Sequence, residues 1–97
     1  MIGVVATLRV QPDKAQAFEA GFADLAAKVK ANEPGNLLYQ LAKSRKEPGV
    51  YKVMELYRDQ EALTAHGQTE YFKQIGATVI GPALAAPPEI EYLDTVD

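Results

Sequence analysis

His66 is the chain's single histidine, and imidazole is the one side chain whose unperturbed pKa lies near neutrality. It closes the run Val53-Met54-Glu55-Leu56-Tyr57-Arg58-Asp59-Gln60-Glu61-Ala62-Leu63-Thr64-Ala65-His66, and Glu70-Tyr71-Phe72 follows shortly after. The first part of this run alternates in the manner of a strand; the second has the spacing of a helix. A strand turning into a helix at Arg58-Asp59 can aim a carboxylate, a phenol and an imidazole at one pocket. Such a set can remove a proton from a bound hydroxyl while aromatic walls hold the ring that carries it.

Each of these residues also has a plainer use. Glu55 shares a strand face with Tyr51, Val53 and Tyr57, and a carboxylate on a covered face must be paired or have its pKa raised. Either state suits proton transfer; the alternative is a structural ion pair with Arg9 or Lys52. Leu63 and Thr69 flank His66 at helical spacing, which puts it at the edge of an apolar stripe. There it is a proton carrier, or a partly buried histidine bonded to a backbone carbonyl. Tyr39 and Tyr57 orient an aromatic ligand or fill core. Tyr71 and Phe72 line the same pocket or wedge the second helix onto the sheet.

Other chemistries lack their residues. With no cysteine, one histidine and neither a His-x-His nor a His-x-x-x-His pair, a zinc site is not expected. No glycine-rich phosphate loop follows a strand, and Ser44 is the only serine and lies in no nucleophile elbow. Catalysis here would rest on acid–base groups, a shaped pocket and a reactive substrate, with no cofactor.

The elements that must position these residues follow from periodicity. Met1 to Val10 reads as a strand, with Ile2, Val4, Ala6, Leu8 and Val10 on one face. Pro12 suits a helix start. From Asp13 to about Asn32, Ala15, Phe18, Phe22, Leu25 and Val29 trace one helical stripe, with Gly21 inside it a penalty of roughly 1 kcal/mol against Ala. Pro34-Gly35 ends that helix. Leu37 to Ser44 and Val50 to about Arg58 form two strands joined by the polar turn Arg45-Lys46-Glu47-Pro48-Gly49. In the first of them Leu37, Tyr39 and Leu41 alternate with Leu38, Gln40 and Ala42, so both faces expect cover. Asp59 is placed to cap a second helix. Its stripe runs through Ala62, Leu63, His66, Tyr71, Phe72, Ile75 and Val79, with a break expected at Gly67. Gly81-Pro82 and Pro87-Pro88 should loosen the chain before a last strand from Glu89 to Thr95.

The order β-α-β-β-α-β over 97 residues describes a single α+β domain of ferredoxin-like, split βαβ plan. It predicts a four-stranded antiparallel sheet with both helices on one face. Apolar residues on both sides of the strands would leave the second face bare, and a second copy is the simplest cover, so a homodimer is expected. The net charge is −3, and Lys28, Lys30, Lys43, Arg45, Lys46, Lys52 and Arg58 are scattered. That distribution argues against nucleic acid as a partner. No segment approaches the roughly 20 apolar residues that span a bilayer, and Met1-Ile2-Gly3-Val4-Val5 reads as strand rather than leader. A cytoplasmic protein without membrane association is expected.

Three stretches carry a resemblance: Glu33-Pro34-Gly35-Asn36-Leu37-Leu38-Tyr39, Met54-Glu55-Leu56-Tyr57, and Glu61-Ala62-Leu63-Thr64-Ala65-His66 with Tyr71-Phe72. Together they resemble the antibiotic biosynthesis monooxygenase (ABM) family, including its quinol monooxygenases, and the likeness spans nearly the whole chain. The resemblance implies a dimeric α/β barrel with a pocket in each subunit between helices and sheet. It further implies oxygenation of a hydroquinone or polycyclic phenol without metal, flavin or haem. His66 and Glu55 match family positions and would handle protons; Tyr39 and Tyr57 would form pocket walls. Two rival uses of the same architecture are a non-catalytic binding domain for a small aromatic metabolite and a non-redox isomerase or cyclase. Tyr57 stands where many relatives have tryptophan. Haem-degrading relatives use an asparagine, a tryptophan and a ligating histidine where this chain has Ala6, His66 and the neighbourhood of Ile75-Gly76, so haem degradation is not implied.

Overall fold

The computed structural model describes all 97 residues. Strand β1 (Ile2–Arg9) lies inside the sheet, antiparallel to both β3 (Val50–Tyr57) and β4 (Glu89–Asp94), and β2 (Asn36–Lys43) pairs with β3 on the far side. The resulting order β2-β3-β1-β4, with the helices on one side, is the ferredoxin-like α+β fold that the element order predicts. Register fixes the two faces, because residues directly opposite in paired strands share a face. Val4 pairs with Glu55 and with Tyr92, Ala6 with Val53 and Ile90, and Tyr39 with Glu55. Those side chains face the helices.

Helix α1 (Ala15–Asn32) starts two residues later than its periodicity suggests, because Pro12–Lys14 forms a separate 3-10 turn. That turn is anchored by Gln11, whose backbone N–H donates to the Ala83 carbonyl at 2.9 Å and whose side-chain amide reaches the Pro82 and Leu84 carbonyls. Phe18, Phe22, Leu25 and Val29 are all buried against the sheet, as their spacing requires. Gly21 has a structural reason to interrupt the run. A Cβ there would stand 2.4 Å from Cγ1 of Val79, so glycine lets the C-terminal helical segment close onto α1.

Helix α2 (Gln60–Gln68) is capped by Asp59, whose Oδ1 accepts from the Ala62 N–H at 2.9 Å. The expected break at Gly67 falls instead at Thr69. Its hydroxyl donates to the His66 carbonyl at 2.9 Å and accepts from the Phe72 N–H at 3.4 Å, closing α2 and capping α3 (Glu70–Ile75) with one side chain. Gly67 stays inside α2 with open space around it. A π turn, Gly76–Ile80, and a helical turn, Gly81–Ala83, follow α3, so Gly81-Pro82 continues helical structure rather than loosening it. Pro82 is tolerated in the first positions of that turn, where its missing N–H is not needed.

Strand β2 begins at Asn36 with a bulge, and the extra residue, Leu37, is more than half exposed instead of joining Tyr39 and Leu41. The sheet face away from the helices carries Val5, Leu38, Ala42, Met54, Leu56 and Leu93, a set given by the strand register. Leu38 and Leu93 are each over two-fifths exposed. No helix is long and apolar enough to cross a membrane.

Candidate functional site

Between the sheet and α1, α2 and α3 lies a cavity of about 880 Å³, within the size range of pockets that take small organic ligands. Its floor is apolar, built from Val4, Ala6 and Leu8 of β1 and Val53 of β3. These are small or branched residues at a two-residue period, so the central strands leave space there instead of filling it. Ile90 and Tyr92 of β4 form part of the rim.

His66, 4% exposed, enters from the last turn of α2. Three rings surround the imidazole: Phe72, Tyr39 and Tyr57, with centroids 4.7, 5.2 and 5.5 Å away. Tyr39 is itself stacked on Phe22 at 5.3 Å and 6°. Nδ1 of His66 lies 3.0 and 3.2 Å from the two carboxylate oxygens of Glu33. A carboxylate only accepts, so Nδ1 carries the proton and Nε2 is the bare nitrogen of the neutral ring. Burial pushes the His66 pKa below its ordinary value, opposed by the charge and hydrogen bond of Glu33. Nε2 has no protein partner, yet no side-chain nitrogen or oxygen is sealed in without one. Because His66 lines the cavity, that nitrogen opens into it.

Glu33 is the residue that sequence reasoning passed over as a site candidate. It follows α1 directly, held by its N–H donating to the Val29 carbonyl at 2.9 Å, and it also accepts from the Tyr71 hydroxyl. Burial and that bond raise Tyr71 to about 12. A signal was available: an acid at a helix C-terminus faces the negative end of the dipole and needs a compensating partner. Gly35 brings the partner close, since a Cβ there would lie 2.5 Å from the Cβ of Ala62 in α2.

Glu55 projects into the same cavity from β3. It accepts from the Tyr57 hydroxyl at 2.6 Å. Burial pushes its pKa up to about 6 against the lowering effect of that bond, with Glu33 adding a smaller upward push. The ion pair with Arg9 or Lys52 does not form: Arg9 pairs with Glu89, and Lys52 donates to Thr7 Oγ1 at 2.6 Å. The backbone-carbonyl partner for the His66 ring gives way in the same manner to Glu33. Tyr39 lines the cavity, and its hydroxyl has no protein partner either. Burial, then Glu55, Glu33 and Tyr71, raises its pKa, so it remains a donor.

Of the six candidates, His66, Glu55, Tyr39 and Phe72 border the cavity, while Tyr57 and Tyr71 stand behind that wall, bonded to Glu55 and Glu33. No three His, Cys, Asp or Glu side chains converge in a metal-holding arrangement. The assembled groups offer two proton acceptors, one hydroxyl donor and an apolar bed for a ring.

The family model for antibiotic biosynthesis monooxygenases matches residues 1–78, four-fifths of the chain. The chain belongs to the ABM family. A Caulobacter crescentus protein named for the same family is 64% identical over 99% of this chain and 90% of its own, with a TM-score of 0.96. Two more distant structures, a conserved protein from Methanosarcina mazei and a Mycobacterium tuberculosis protein, are each 26% identical with TM-scores of 0.89. The first covers 95% of this chain and 89% of its own, the second 99% and 95%. No curated protein matches. The ABM match takes in Glu33, Tyr39, Glu55, His66 and Phe72 and leaves β4 outside it.

Proposed function

We propose that this ABM protein is a cofactor-independent monooxygenase that oxidises a hydroquinone or polycyclic phenol with molecular oxygen. The observation that carries the reading is the unpaired Nε2 of His66 facing an apolar cavity while Nδ1–H is committed to Glu33. A substrate hydroxyl donates to Nε2, and the imidazolium formed on proton transfer is held by the Glu33 carboxylate. The electron-rich ring reduces oxygen. One oxygen atom ends on the ring, the other leaves as water, and all four electrons come from the hydroquinone, which becomes a hydroxyquinone. Tyr39, Phe72 and Phe22 hold the ring in place and keep water from the reactive intermediate.

The protein acts as a homodimer in this reading. The support is the open sheet face bearing Leu38, Met54, Leu56 and Leu93, which a second copy would cover about a two-fold axis.

Oxygen uptake with a panel of chemically reduced quinols, wild type against His66→Ala, tests the activity. A positioned general base contributes typically about a hundredfold or more, so the variant should lose at least that. Equal rates would remove His66 from the reaction, and no uptake across the panel would overturn the oxygenase reading.

A further inference from the structure

His66 and Tyr71 are five residues apart, a spacing that would set them about 140° apart around one continuous helix. Here they reach the same carboxylate: Nδ1 of His66 lies 3.0 Å from Oε1 of Glu33, and the Tyr71 hydroxyl donates to Oε2. The joint at Thr69 makes this possible. Its backbone is extended, with φ −68° and ψ 145°, so α3 leaves in a new direction. The Thr69 hydroxyl ties that joint to the His66 carbonyl at 2.9 Å. Glu33 has no lysine or arginine partner, and its side chain is only 10% exposed. The donors to its carboxylate are therefore the His66 ring and the Tyr71 hydroxyl.

Resting on the reading of His66 as the base, we infer that Tyr71 is a positioning residue. Its hydroxyl holds the Glu33 carboxylate against His66 and sets how strongly Nε2 takes up a proton. A hydroxyl that donates to a carboxylate draws off part of its negative charge and fixes the direction of the carboxyl plane. Less charge is then left to stabilise the imidazolium, so the ring gives its proton up again more readily. The other titratable groups facing the ring are Tyr39 from β2, Glu55 and Tyr57 from β3, and Asp94 at the rim on β4, none of them cationic. Glu33 is the one bonded to the imidazole, so a change at Tyr71 reaches His66 through Glu33.

The single histidine provides a readout that needs no turnover. Diethyl pyrocarbonate acylates only unprotonated imidazole, so its rate of reaction with the resting protein, followed across pH, gives the midpoint for His66. Tyr71→Phe and Tyr71→Leu both lack the hydroxyl but differ in packing, and both should move that midpoint upward, by up to about one unit. Glu33→Gln should move it downward, since the carboxylate favours the imidazolium. Adding Tyr71→Phe to Glu33→Gln should then have no further effect. The acid limb of the oxygen-uptake profile should follow the same shifts. The inference is overturned by a midpoint that stays in place or falls in the Tyr71 variants, by an equal upward shift with and without Glu33, or by an acid limb that does not follow the midpoint. Absence of oxygen uptake, with the midpoint shifts as expected, would leave this inference standing and remove the oxygenase reading alone.

Discussion

Glu55 is held away from its ordinary ionisation by its surroundings, and this has a measurable sign. Its folded pKa, about 6 against an ordinary 4.5, means that the folded state binds its proton more tightly than the unfolded chain does. Between those two values the native protein holds more protons, so Glu55 lowers stability as pH rises. Above about 6 the full cost is present, and the difference from 4.5 corresponds to about 2 kcal/mol. His66, with its pKa lowered by burial, works the other way: its contribution is lost as pH falls below its unfolded value. Urea unfolding of wild type and Glu55→Gln separates the two. The variant should gain on the wild type by up to about 2 kcal/mol between pH values near 4.5 and 7, and a constant offset across that range would contradict the assignment. The charged strand-to-helix run made His66 and Glu55 legible from sequence. The two-residue period also put Tyr57 on the strand face of Glu55, to which it donates, but the Glu33–His66 contact, 33 positions apart, follows from no local period.

At the scale of elements, most of the fold could be read from spacing. Phe18, Phe22, Leu25 and Val29 fix the buried face of α1, and the alternation of Tyr51, Val53 and Tyr57 fixes that of β3. The misreadings occur where a side chain or a neighbouring element overrides the local pattern. Thr69 ends α2 because its hydroxyl can serve both adjoining helices, whereas Gly67 merely lacks a side chain. Gly21 reads as a flaw in a helix and proves to be a contact point with the π turn. An exposed helical glycine replaced by alanine usually stabilises by roughly 1 kcal/mol. Gly21→Ala should instead destabilise by about 1–3 kcal/mol, the usual range for overpacking. Adding Val79→Ala should recover most of that loss. Thermal unfolding of the two variants checks the pair, and an additive outcome would exclude the contact as the cause.

For the molecule as a whole, one sheet face is covered by helices and the other is open. Met54 is near the middle of the open face, opposite Val5 and Gln40 in the register. If two copies stack there, Met54→Lys brings two charges into one apolar layer. Sedimentation should then show dimers for the wild type and monomers for the variant at the same concentration, with the cavity residues untouched. A wild type that sediments as a monomer would refute the stacked arrangement. The imidazole of His66 is the only one in the molecule, and three aromatic rings enclose it. Ring currents from Phe72, Tyr39 and Tyr57 will displace its carbon-bound proton resonances from random-coil positions, giving a lone imidazole signal in the magnetic resonance spectrum. That resonance can be followed without isotope-selective labelling, so occupancy of the chamber and the charge on its base are open to direct spectroscopic titration.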